Sequence, residues 1–230
     1  MNAEKRITVA GIEATLIRKK VKNLRVTVVP PDGTVRVSAP TRMPEALIRA
    51  FLNDKADWIR AHAEKVRSCH ADEPKMFTDG ETVRLFGRVY PLCVRENQKK
   101  NGVALEGDCI VLLLKGDAPK ETREAILNEW FRERLKSEIE YYLPLWSDHT
   151  GLVPSAWAVR DMTSRWGSCN TKTKKINLNL QLVHYPLGCL EYVILHELIH
   201  IRVHGHGADF KALLDRYMPD WKARKKLLNP

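Results

Sequence analysis

Apolar and polar positions alternate over residues 24–38, where Val26 and Val28, then Val35 and Val37, flank Pro30-Pro31-Asp32-Gly33. That is the pattern of two strands joined by a turn. Residues 6–18 predict an earlier strand. Over residues 44–67 the period lengthens, with Leu47, Ile48, Phe51, Leu52, Trp58 and Ile59 as the apolar set of one amphipathic helix. Residues 68–79 read as a linker. Residues 83–86 and 89–94 predict a second hairpin around Gly87-Arg88, and residues 110–114 a further strand. Residues 119–143 form a long helical pattern with a core stripe of Ile126, Trp130, Phe131, Leu135 and Ile139; Pro119 stands near its start and Pro144 beyond its end.

The last third begins with a strand over residues 157–161. A cleaner one follows over residues 175–182, with Ile176, Leu178, Leu180 and Leu182 on one face and Asn177, Asn179 and Gln181 on the other. Residues 190–195 are mostly apolar and suit a buried helix. Phe210, Leu213, Leu214 and Tyr217 predict a short packing helix that stops near Pro219. No internal repeat or low-complexity segment interrupts this order.

The chain has 230 residues and is 44% hydrophobic, enough for one ample core or two small ones. No stretch reaches the roughly 18 apolar residues of a membrane helix, and the polar start, Met1-Asn2-Ala3-Glu4-Lys5-Arg6, leads to no signal-peptide core. The expectation is no membrane partner. Cys69, Cys93, Cys109, Cys169 and Cys189 show neither a disulfide framework nor C-x-x-C pairs, which fits a reducing cytoplasm. The net charge is +10, with eight basic against two acidic residues between Arg18 and Arg49 and a second basic run over residues 222–226. Such charge serves a solvated face, or an acidic partner: nucleic acid, nucleotide or acidic polypeptide. Without a base-reading motif, any nucleic-acid contact is expected to be nonspecific.

The chemistry is concentrated in His196-Glu197-Leu198-Ile199-His200. Residues four apart on a helix share a face, so His196 and His200 can reach one ion, with Glu197 beside it as a general base. Catalytic zinc takes three protein ligands and keeps one position open. His204 and His206 are the candidates for the third. On a continuing helix His204 would lie about 12 Å along the axis from His196, too far to share an ion. The chain must first turn back, as Gly205 and Gly207 around His206 permit. His206 is therefore the third ligand, and His204 a bystander. The spacing equals that of the metzincin motif, but Val203 stands where that motif has glycine and no Met-turn follows.

Ser164-Arg165-Trp166-Gly167-Ser168-Cys169, then Ile176-Asn177-Leu178-Asn179, then Tyr192-Val193-Ile194-Leu195-His196-Glu197-Leu198-Ile199-His200, then His206-Gly207-Ala208-Asp209-Phe210, occur in that order. Together they resemble the YgjP-like family of zinc metallopeptidases, which is related in motif to the SprT-like metallopeptidases. The resemblance is strong over residues 150–230 and looser before them. It implies a Zn²⁺ site at His196, His200 and His206 with Glu197 catalytic. The family often has serine after the third histidine, where Gly207 stands here. The fold expected is α+β: strand-rich N-terminal hairpins, then a helical zincin-like catalytic domain with a small antiparallel sheet. Its parts would be residues 1–75 (hairpins and a helix), 76–148 (a hairpin and a long linking helix) and 149–230 (the catalytic domain).

Arg165 is a candidate catalytic residue: it either stabilises a developing oxyanion or ties its loop to a carboxylate. Tyr185 and Tyr192 are other candidate oxyanion donors. Trp166 is expected to pack, Gly167 to permit a tight turn, and Cys169 either to approach the metal or to lie buried and inert. The strand over residues 175–182 is either an edge that pairs with an extended substrate or an ordinary strand with a wet face. The leading function is a zinc-dependent hydrolase acting on polypeptide. A second reading keeps the ion and base but cleaves a nucleotide phosphoanhydride, although no P-loop is present. A third is a nucleic-acid-associated binding module with a structural metal, against which three ligands and an open position argue.

Overall fold

The computed structural model describes residues 4–29, 33–69 and 75–228. They divide into two compact units, Met1–Lys75 and Met76–Pro230.

The first unit is a four-stranded sheet with two helices. β1 (Glu4–Val9) and β2 (Ile12–Lys19) form a hairpin where a single strand over residues 6–18 was expected. Ala10 and Gly11 adopt φ of 50° and 75°, the left-handed pair of a tight hairpin turn. Alanine at such a position is no turn signal. β3 (Arg25–Val29) and β4 (Thr34–Pro40) pair antiparallel as the alternation requires; the turn residues 30–32 lie outside the described residues. β2 and β4 pair in parallel, and the order is β1-β2-β4-β3. The helical pattern over residues 44–67 is split into α1 (Glu45–Asp54) and α2 (Ala56–Cys69). The break at Lys55 follows Asn53-Asp54, whose side chains compete with helical backbone bonding. Leu16, Val35, Val37, Ile48, Leu52 and Ile59 make this unit's core.

In the second unit, β5 (Thr82–Leu85) and β6 (Arg88–Arg95) turn through Phe86 and Gly87, at φ of 48° and 84°. This is one residue earlier than Gly87-Arg88. The Phe86 N–H donates to the Val183 carbonyl at 2.7 Å, so a distant contact sets the turn. β7 (Gly102–Glu106) was not anticipated; it pairs antiparallel with β8 (Cys109–Leu113). With β6 and β8 parallel, the order β5-β6-β8-β7 repeats the strand arrangement of the first unit, a repetition that the residues do not display. A disulfide joins Cys93 to Cys109 across β6 and β8. This corrects the expectation of unpaired cysteines and removes its argument for a reducing compartment. No described helix is long and apolar enough to cross a membrane.

α3 (Lys120–Thr150) runs straight through Pro144, which was expected to lie past its end. Proline removes one helical hydrogen bond. However, Leu127, Phe131, Leu135, Ile139, Leu143 and Ser147 are all buried at intervals of four, and that stripe continues across the proline. Gly151, at φ 70° with its N–H on the Ser147 carbonyl at 2.8 Å, stops the helix. The small sheet has order β10-β11-β9, from β9 (Ala156–Arg160), β10 (Gly167–Asn170) and β11 (Lys175–Asn179). It is mixed rather than wholly antiparallel, since β11 and β9 run parallel. β11 is also shorter than the pattern over residues 175–182 suggested: a 3₁₀ helix, Leu180–His184, takes over where the Asn179 side chain caps the Gln181 N–H. α4 (Leu187–His200) is buried almost all round, and α5 (Ala208–Tyr217) and α6 (Trp221–Leu228) follow it. The core stripe of α3, the inner residues of both sheets and α4 share one hydrophobic cluster, so residues 76–148 and 149–230 fold around a common core.

Candidate metal centre and its cleft

α4 ends at His200, and Gly205, at φ 81°, reverses the chain. His206 returns to the face that holds His196 and His200. The three Nε2 atoms converge: 3.2 Å between His196 and His200, 3.2 Å between His200 and His206, and 3.0 Å between His196 and His206. Tetrahedral zinc–nitrogen bonds of about 2.0–2.1 Å would place ligand nitrogens about 3.3 Å apart. Three imidazole nitrogens meeting at one point repel one another unless a cation lies between them, so the donor set fits a metal ion. Among the described residues these three histidines are the group able to hold one.

The surroundings favour the ligand form of His196 and His200. Nδ1–H of His200 donates to the Val203 carbonyl at 3.1 Å; a carbonyl only accepts, so the lone pair is left on Nε2. Nδ1 of His196 lies 3.4 Å from the Tyr192 hydroxyl. Phe210, fully buried, packs against all three rings at centroid distances of 4.8, 4.7 and 4.8 Å. Burial pushes His196 down to about 3, with His200 and His206 adding to the effect, and burial likewise pushes His200 down. Neutral imidazole is the form that ligates.

Glu197 is 4% exposed, and its Oε2 has no hydrogen-bond partner among the described residues. Burial pushes its carboxyl up to about 8, against the pull of Arg165. A buried carboxyl with an unmet oxygen is costly. A cation at the histidine centre would draw its pKa back down and make it a usable base.

The family model of the YgjP-like metallopeptidase domain matches residues 22–230. The chain belongs to the YgjP-like family. No curated protein matches it. Among solved structures, it is similar to the crystal structure of the metallopeptidase zymogen of Methanocaldococcus jannaschii jannalysin. That match has 24% identity over 41% of this chain and 92% of that chain, with a TM-score of 0.33.

In this YgjP-like protein the Arg165-Trp166-Gly167-Ser168-Cys169 run does not form a loop throughout: from Gly167 it becomes the edge strand β10. A Cβ on Gly167 would lie 2.5 Å from Glu197 Oε1. The residue is glycine because the carboxyl packs on its backbone, beyond any demand of a turn. Of the two readings of the strand over residues 175–182, the edge role falls away, since β11 is paired on both sides and β10 and β9 are the outer strands. Arg165 is exposed and acts on Glu197 through its charge. Among the described residues no carboxylate pairs with it, so the loop is not tied in that way.

Asn179 ties the loop instead. It is 3% exposed. Its Nδ2 donates to the carbonyls of Met162 and Arg165, both at 2.7 Å, while its Oδ1 accepts from the N–H groups of Met162 and Gln181 at 3.2 and 3.1 Å. Strict alternation had placed this side chain on a wet face. Asn179→Ala is expected to cost about 2–3 kcal/mol in denaturant unfolding, because it orphans several buried backbone groups at once; a cost below about 0.5 kcal/mol would contradict this account.

Trp166 packs edge-on against Tyr185, with centroids 4.9 Å apart. Tyr192 is buried, and burial pushes its hydroxyl up to about 12, with Glu197 adding to the effect. Cys169 lies half-buried on β10, its thiol pushed up by burial and then by Glu197; it stands outside the histidine group, as does the exposed His204. A cleft of about 420 Å³ opens beside His196, Glu197 and His206, with Trp166 and Gly167 along one wall. Tyr192, Val193, Phe210, Leu214 and Trp221 form the rest of its apolar lining, with Lys211 and Lys225 among them.

Proposed function

We propose that this YgjP-like protein hydrolyses peptide bonds with a Zn²⁺ ion held by the Nε2 atoms of His196, His200 and His206, and with Glu197 as general base. The observation that carries this reading is the convergence of three Nε2 atoms within 3.0–3.2 Å of one another beside a buried carboxyl. When bound, the ion supplies Lewis acidity for a carbonyl oxygen and lowers the pKa of water toward about 7. Glu197 takes a proton from the attacking water at a carboxylate oxygen and hands it to the leaving nitrogen. Its burial keeps bulk water from competing for that proton. The free edge of β10 offers backbone N–H and C=O groups that an extended polypeptide can pair with. Arg165, whose charge acts on Glu197, is the candidate to stabilise the charge that develops on the carbonyl oxygen.

Mass-spectrometric analysis of a mixture of unfolded polypeptides, incubated with zinc-loaded and with chelated protein, tests this reading. Fragments are expected from the loaded protein and not from the chelated one, and restoring zinc should restore them. Equal fragmentation by the chelated protein would sink the proposal. The ion binds the folded site, so free zinc at about 100 times its dissociation constant should add about 2.7 kcal/mol to stability. This is measured by denaturant unfolding with zinc and with chelator. His206→Ala should abolish most of that increment.

A further inference from the structure

Lys211 on α5 and Lys225 on α6 both line the cleft beside the histidine centre. Apart from the histidines and the Tyr192 hydroxyl, the ionisable groups in that lining are these two and Glu197. Lys225 lies near enough for its charge to be felt at His196, and its Nζ stands 5.9 Å from the Trp221 ring centroid. The cleft is an apolar pocket with two lysines in its lining. Tyr192, Phe210, Leu214 and Trp221 form walls suited to an aromatic or large aliphatic side chain. Its volume of about 420 Å³ lies toward the small end of ligand pockets, which run from about 300 to 1,000 Å³. It has room for one or two residues and not for a long segment.

We infer that this end of the cleft is a subsite for a substrate carboxylate, read by Lys211 and Lys225 next to an apolar side chain packed on the wall that Tyr192, Phe210 and Trp221 form. The inference rests on the peptidase reading above and names its substrate class: chains in which an apolar residue adjoins a negative charge. That charge can come from the chain's own C-terminus or from an aspartate or glutamate. Ammonium groups recognise either source through charge-assisted hydrogen bonds.

The test reads binding and cleavage separately. Three probes are titrated calorimetrically into the zinc-loaded protein: N-acetyl-Phe-Ala with a free carboxylate, the same peptide as its C-terminal amide, and N-acetyl-Phe-Asp as its C-terminal amide. The wild type is expected to bind at least one acid form about fivefold or more tightly than the neutral amide, and the acid that does so identifies the source. The Lys211→Met/Lys225→Met protein should lose that ratio, and raising the salt from about 0.05 to 0.5 M should shrink it in the wild type. Equal binding of all three probes overturns the inference. So does a preference that persists in the double variant, because the carboxylate would then sit on the metal ion. In parallel, cleavage sites in a peptide library should be enriched for acid groups or free C-termini in the wild type and not in the variant. Selective binding without any cleavage would leave the subsite standing and sink the peptidase reading. Cleavage without selectivity in either assay would do the reverse.

Discussion

Glu197→Gln is expected to keep its zinc and lose about 10²–10⁴-fold in turnover, the usual contribution of a general base. The substitution keeps the shape of a side chain that is 4% exposed and packed on the Gly167 backbone. It removes only the ability to accept a proton. Stability of the metal-free protein at neutral pH should change little or rise, because burial makes the wild-type carboxyl give up its ionisation on folding and an amide has none to give up. Metal analysis and peptide cleavage, measured on the same preparation, separate these effects. Undiminished cleavage would exclude Glu197 as the base, and loss of zinc would show that the residue supports the ligands instead.

Gly167→Ala should be nearly as damaging, for a different reason. The added methyl would lie 2.5 Å from Oε1, 2.8 Å from Cγ and 2.9 Å from Cδ of Glu197. All three are closer than a methyl can sit, so something must shift, and the Glu197 side chain can give way only by moving within the cleft that it lines. Gly167 is not in the left-handed region, so the backbone accepts alanine and the collision is the whole effect. The carboxyl must shift or β10 must lift from α4. A displacement of about 1 Å in a catalytic group can cost about 10²-fold in rate, and overpacking costs about 1–3 kcal/mol. Zinc content should be unchanged. Shortening the carboxylate with Glu197→Asp in the Gly167→Ala background should relieve the crowding, so the two substitutions should be less than additive in stability. Wild-type rate and stability in Gly167→Ala would show that the carboxyl does not depend on this packing.

Much of the site could be read from the residues because it is local. His196, His200 and His206 follow from helical spacing and a glycine-permitted turn, and the structure brings the three together as that geometry required. What escaped the reading depends on contacts between distant parts of the chain. Asn179 looked like the outer face of a strand, yet its side chain is buried under the Met162–Arg165 loop. Gly167 looked like a turn residue, and its actual constraint comes from a carboxyl thirty positions later. The same holds for the fold. Alternation found the hairpins of residues 24–38 and 83–94, whereas the left-handed Ala10 and Phe86 are non-glycine residues that local preference does not mark. Pro144 reads as a stop, and the buried stripe of α3 overrules it.

The histidine centre and the packing around Glu197 differ in how far along the chain they draw their parts. All three imidazoles lie within residues 196–206. Closing a segment of about ten residues takes about 10–100 ns, so the ligand set is a contact of low sequence separation that can assemble early. The seat of Glu197 on β10 is a long-range contact and must wait for the sheet to dock on α4. A chain whose small sheet is loosened, by Asn179→Ala for instance, can therefore load metal in full stoichiometry and still be inert. On the proposed mechanism, metal content by itself is no assay of the fraction of molecules that are competent.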